Sequence, residues 1–219
     1  GGKRLATQIW PWRGGHKPAF PLFENKYGKK SGIISAVDLL DGIGRCAGME
    51  VITVPGATGY LDTDYAAKAR YALDAIRRLD FVYVHIEAPD EAGHLGSIEE
   101  KVKAIEKVDE VVGTILDGFD GVVAVLPDHP TPIRAKTHTR DPVPFVVRGK
   151  GTDKTTEYSE KAARSGGLGM KNAVDFLDAP DRMADFFSSR LLRWLITPYR
   201  SRLVSFASKP FYSVADRIL

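Results

Sequence analysis

The sequence predicts an α/β fold, a parallel or mixed sheet covered by helices on both faces, and three observations carry that prediction. Short, nearly continuous apolar runs recur along the chain, as strands buried on both faces require. Amphipathic segments at helical spacing separate them, so strand and helix alternate as in βα units. Two of the runs end in turns rich in proline, aspartate and histidine, and open α/β sheets bind their ligands beyond the carboxyl ends of strands.

Taken in order, "GIISAV" (32–37) reads as the first strand, and "LLDGIGRCAG" as a helix that Gly48 is placed to end. "EVITVPG" (50–56) reads as the next strand. From Asp64 to Leu79, the residues Ala69, Ala72, Leu73, Ile76 and Leu79 form one apolar stripe, with Lys68, Arg70, Arg77 and Arg78 expected to face water. "DFVYVHIEA" (80–88) is a strand, and Ser97 with Glu100 makes a capping box for a helix carrying Ile98, Val102, Ile105, Val108, Val112 and Ile115. "GVVAVL" (121–126) and "PVPFVV" (142–147) complete the strands. Beyond about Asp178 the pattern changes to helical segments in which Arg190, Arg193, Arg200 and Arg202 accompany Leu191, Leu192, Trp194, Leu195 and Ile196. Residues 1–180 are therefore expected to form one α/β body, with 181–219 a basic helical tail appended to it.

Composition narrows the function classes. The 31 Lys+Arg against 28 Asp+Glu leave a net charge of +3, too small to imply a nucleic-acid partner. A lone cysteine, Cys46, excludes an internal disulfide and a cysteine-rich zinc site. No apolar run reaches the ~18–20 residues of a membrane span, so a membrane partner is not expected and a cytoplasmic location is.

Chemistry gathers at the strand ends. Asp90 and His94 follow the strand at 80–88, Asp128 and His129 follow that at 121–126, and His138 stands just before the strand at 142–147. Two aspartates and three histidines mix oxygen and borderline nitrogen ligands, a set suited to Mn²⁺, Zn²⁺ or a related divalent ion. Prolines 89, 127, 130 and 132 are expected to stiffen these loops. His85, inside a strand, reads as a satisfied structural histidine, and His16 as solvated. Glu87 and Glu91 are candidates for contacts behind the ligands, Glu91 reading better as an exposed loop acid. Thr58 and Thr131 are the nearest hydroxyls, each in a turn whose shape is explained without catalysis.

The stretches "ATQIWPW", "ISAVDLLDGIGRCAGM", "VPGATGYLDTDY", "VHIEAPDEAGH", "LPDHPTPI" and "THTRDPVPF", between about residues 5 and 178, resemble the archaeal-type cofactor-independent phosphoglycerate mutases of the alkaline phosphatase superfamily. The resemblance implies a three-layer α/β/α sandwich of alkaline phosphatase type, mostly parallel, of which this chain is an incomplete, C-terminal part. It implies two divalent metal ions and no organic cofactor: Mn or Zn, with Mg or Co as further options. Asp90, His94 and His138 resemble the ligands of one ion, Asp128 and His129 those of the other. It implies 2,3-bisphosphoglycerate-independent conversion of 3-phosphoglycerate to 2-phosphoglycerate through a phosphoserine, a step of glycolysis. The family's nucleophilic serine and a further aspartate ligand lie in an N-terminal section that this chain lacks. Five ligands are also few for two ions. The expectation is a chain that needs the missing segment and is inactive alone.

Three rivals stand beside this reading. Homoserine kinase-like proteins resemble the same family, and metal-dependent phosphatases or phosphonate hydrolases reuse the superfamily's ligands. From another class, the chain could be a non-catalytic metal-binding remnant whose basic tail touches a membrane or a partner helix.

Overall fold

The computed structural model describes residues 7–9, 15–16, 19–149, 152–171 and 191–195. Along the chain run α1 (Phe23–Tyr27), β1 (Ser31–Ile34), α2 (Asp38–Cys46), β2 (Glu50–Val51), α3 (Tyr65–Ala75) and β3 (Phe81–His85). There follow α4 (Ala88–Leu95), α5 (Ile98–Gly118), β4 (Val122–Leu126), β5 (Val146–Arg148), α6 (Glu160–Ala163) and β6 (Leu191–Leu195). The strands join in one sheet of order β2-β1-β3-β6-β4-β5. Every neighbouring pair is parallel except β4 with β5, which is antiparallel.

Alternation along the strands sends successive side chains to opposite faces. Val82, Val84, Val123 and Val125 join a core with the alanines of α3 and with Val108, Val111 and Ile115 of α5. Phe81, Val122, Ala124 and Leu126 face the other way, with Phe23 of α1, whose ring stacks on Phe81 at a centroid distance of 4.9 Å. Ile34 belongs to the first core, so Ile33 points to the second face, and α2 lies over it. A Cβ on Gly44 would come within 2.6 Å of the Ile33 side chain, so this crossing requires glycine. Helices on both faces make the three-layer α/β/α arrangement.

The Ser97 cap and the Gly48 helix end read from sequence are in place, and Asp64 adds a cap that the sequence reading does not name. Asp64 accepts from the Ala67 amide at 2.8 Å and starts α3, and Ser97 accepts from the Glu100 amide at 3.2 Å and starts α5. Gly48 takes φ 70° just after α2.

Four local expectations change. The run 50–56 is a strand only at Glu50–Val51. This strand is the sheet edge, and Pro55 and the φ 79° turn at Gly56 end any extension. Residues after β3 are not a loop: Ala88–Leu95 is helical, with Pro89 in its first turn, where a missing N–H costs nothing, and Gly96 left-handed at its end. Lys68, expected to face water, is fully buried, because the small residues of α3 let the helix lie close on the sheet. Finally, Leu191–Leu195 is not helical but a strand pairing with β3 on one side and β4 on the other, five residues each. Without it the facing edges of β3 and β4 would hold unpaired amides and carbonyls inside the protein. That demand outweighs the helix preference of leucine and arginine. The rest of the predicted helical tail lies outside the described residues.

Candidate metal centre

The carboxyl ends of β3 and β4 point the same way, with β6 between them. From β3 the chain turns at once into α4, and that helix places Asp90 and His94 four residues apart on one face. Asp90 Oδ2 and His94 Nε2 are 3.1 Å apart. His94 is turned by its other nitrogen, Nδ1, which lies 3.0 Å from the Lys136 carbonyl. With that nitrogen donating, Nε2 carries its lone pair toward Asp90.

The segment between β4 and β5 supplies the rest. His138 Nε2 lies 3.4 Å from Asp90 Oδ1 and 3.2 Å from His94 Nε2. The His129 ring stacks on His138 at a centroid distance of 3.7 Å, with Nδ1 3.8 Å from Asp90 Oδ1. Asp128 Oδ2 is 3.2 Å from His129 Nε2, and Asp128 Oδ1 accepts the His129 amide at 3.0 Å. All five residues singled out in the sequence therefore meet at one cleft. Asp90, Asp128 and His129 of this group line a pocket together with His85, Glu87, Lys101 and Thr131, and His94 and His138 flank it through Asp90.

The family resemblance divides these five residues three and two, but the geometry does not respect the division. Ligand atoms of Asp90, His129 and His138 all lie within 4.8 Å of one another, so Asp90 stands between the two sets. Two imidazole Nε2 atoms facing each other beside a carboxylate are poorly arranged as a hydrogen-bond network alone. The same atoms fit a shared divalent cation, and their nitrogen and oxygen donors suit zinc or manganese.

Behind the cleft lies a buried polar layer. Lys68 Nζ donates to the His85 carbonyl at 3.0 Å, and burial pulls its ammonium down to about 8. His85 Nε2 sits 3.1 Å from Glu87 Oε2, while its Nδ1 is buried without a partner among the described residues. His85 is thus satisfied at one nitrogen only. Burial pushes its imidazole down to about 4, and burial together with Asp90, Asp128 and Glu91 pushes Glu87 up to about 7. The short His85–Glu87 contact has the form of an ion pair, yet both shifts favour the uncharged partners. Burial dominates each, so we read it as a hydrogen bond between largely neutral groups.

Sequence reasoning did not single out Lys68 or Lys101 and gave Thr131 only a turn. Lys101 Nζ donates to the Pro89 carbonyl at 2.6 Å and, more weakly, to the Thr131 carbonyl at 3.4 Å. The Thr131 hydroxyl donates to Asp90 Oδ1. For Lys68 a signal was present: alanines 67, 69 and 72 surround it and mark a helix able to approach the sheet closely. Thr58 is spent on its own loop, donating to Asp62 at 2.8 Å and accepting from the Tyr60 amide. Glu91 is a partly buried helix residue, not an exposed loop acid, and His16 is exposed.

Comparison with known proteins places the chain among named relatives. A 2,3-bisphosphoglycerate-independent phosphoglycerate mutase of Methanothermobacter thermautotrophicus is 53% identical over 178 residues, 78% of this chain and 44% of that protein. The enzyme of the same name from Methanosarcina mazei is 49% identical over 185 residues, 80% of this chain and 47% of that protein. The chain thus spans less than half the length of these curated relatives. Among solved structures, a protein of Pyrococcus horikoshii matches with TM-score 0.72 and 35% identity, over 76% of this chain and 51% of its own. The cofactor-independent phosphoglycerate mutase of Thermoplasma acidophilum matches with TM-score 0.57 and 27% identity, over 76% and 40%. Residues 6–177 match the Metalloenzyme superfamily, a span that contains every residue of the cleft, and the chain belongs to that superfamily.

Proposed function

We propose that this chain forms the metal-binding half of a 2,3-bisphosphoglycerate-independent phosphoglycerate mutase, an isomerase that interconverts 3-phosphoglycerate and 2-phosphoglycerate in glycolysis, in the cytoplasm. The observation that carries this reading is the meeting of Asp90, His94, Asp128, His129 and His138 at one cleft, in a chain about half identical to proteins of that name.

In this reading the five residues hold two divalent ions, manganese or zinc by their donor types, with Asp90 reaching both ligand sets. Bound there, the ions would neutralise charge on a transferring phosphoryl group. The residues' own part is to hold unprotonated nitrogens and carboxylate oxygens at short range before any ion arrives, so that little order is lost on binding. Thr58 and Thr131 are both committed to structural hydrogen bonds, and in this reading the nucleophilic hydroxyl belongs to the portion of the relatives that this chain does not match. In this reading the metal-binding body takes in Leu191–Leu195, beyond the end of the superfamily match at residue 177, because that strand pairs with both β3 and β4.

A coupled mutase assay with Mn²⁺ or Zn²⁺ tests this. The chain alone should give no turnover, since loss of a covalent nucleophile costs several orders of magnitude. Fusion to the N-terminal half of an intact relative should restore phosphoglycerate turnover. A fusion that binds metal yet leaves phosphoglycerate untouched would contradict the assignment.

A further inference from the structure

Thr131 is 5% exposed and sits where the two ligand-bearing segments touch. Its hydroxyl donates its single proton to Asp90 Oδ1 and lies 3.3 Å from His129 Nδ1. A hydroxyl that donates to Asp90 is left to accept from that nitrogen, an arrangement that favours the His129 tautomer with its proton on Nδ1. Nε2 is then the free nitrogen, and it faces Asp128 at 3.2 Å. His94 is set in the same sense by the Lys136 carbonyl on its Nδ1.

The junction is braced on both sides. Lys101 crosses from α5 to the carbonyls of Pro89, which precedes Asp90, and of Thr131. On α4, a Cβ added at Gly93 would overlap the Thr131 carbonyl oxygen, so helix and segment meet at backbone contact. Thr131 is therefore held in place independently of the five cleft residues.

We propose that Thr131 is a positioning residue of the metal centre: one hydroxyl orients Asp90 from one segment and selects the tautomer of His129 on the other, with Lys101 and the glycine contact holding it there. This rests on the metal reading of the cleft. It goes beyond it by assigning the coordination geometry to a residue that ligates nothing.

The test uses Co²⁺ as the probe, because its visible absorption reports ligand identity and geometry. Wild type, Thr131→Val, Thr131→Ser and Lys101→Met are titrated with Co²⁺ at neutral pH, with thermal melting of each metal-free protein alongside. Valine keeps the shape and loses the hydroxyl. It should weaken Co²⁺ binding about 10–100-fold, the range typical of outer-shell partners, and change the absorption spectrum. Serine should restore both. Lys101→Met should shift the spectrum in the same direction, and it decides the matter if Thr131→Val fails to fold. A Thr131→Val spectrum and affinity equal to wild type would overturn the inference. So would a loss that serine does not rescue, since that would be a matter of shape alone. Failure of the wild type to bind Co²⁺ would remove the metal reading itself, and this inference with it.

Discussion

His85 Nε2 lies 3.1 Å from Glu87 Oε2 at the closed end of the cleft, and burial moves the two groups in opposite directions. Glu87 rises from 4.5 to about 7, so the folded protein holds this proton more tightly. The stability it contributes is present below the unfolded value and lost as pH climbs through 7. His85 falls from 6.5 to about 4, so its contribution is gained as pH climbs across that window. In the metal-free wild type the two oppose each other between about pH 4.5 and 6.5. Asp90, Asp128, Glu91 and Lys68 also face Glu87 and are the same in wild type and variant. Glu87→Gln removes one side. Its stability in urea with chelator should rise from pH 4 to 6.5 by on the order of 3 kcal/mol more than wild type. Parallel profiles would refute the pairing.

Lys68 offers a second pH signature. Its ammonium has a folded value of about 8 against the usual 10.5, so the unfolded chain binds the proton more tightly between those values. Stability should therefore rise with pH from 8 toward 10 in wild type relative to Lys68→Met, by on the order of 2 kcal/mol. Equal slopes for the two proteins would show that this ammonium is not held in a desolvated place.

Gly93 should resist the usual helix rule. Within a helix, glycine to alanine ordinarily gains up to about 1 kcal/mol. Here the new methyl would meet the Thr131 carbonyl, so Gly93→Ala should instead cost about 1–3 kcal/mol and weaken metal binding. A stabilised variant would mean that α4 and the segment after β4 are not in contact.

The strand Leu191–Leu195 is tested through its backbone. A proline at its centre, Arg193→Pro, removes an amide from a strand paired on both sides, at a cost of about 3 kcal/mol or more. An appended helix would lose only local helicity, and the body's melting temperature would stay put. Because β3 and β4 lead into the two ligand sets, the variant should also bind metal less well.

Much of this was legible in the sequence, and the exceptions have one physical cause. The apolar runs of β3 and β4, the cap at Ser97 and the five cleft residues are local patterns, readable from spacing and residue type. What spacing could not show were relations settled by distant partners. Leu191–Leu195 reads as helix because its helix-forming residues are judged without the two bare strand edges that claim it. Lys68 reads as exposed because nothing local reveals the carbonyl of His85 waiting beneath it. Thr131 reads as a turn residue because its hydrogen-bond partner, Asp90, lies 41 positions away in the chain.

If Asp90 joins the two ligand sets of one metal centre, removing its carboxylate should disable both. Equilibrium dialysis against Zn²⁺ and Mn²⁺, with metal counted per chain, measures this directly on wild type, Asp90→Asn and Asp128→Asn. Wild type should bind, Asp128→Asn should keep part of the binding through Asp90, His94 and His138, and Asp90→Asn should lose nearly all of it. Undiminished binding by Asp90→Asn, or no binding by folded wild type, would contradict this role of Asp90.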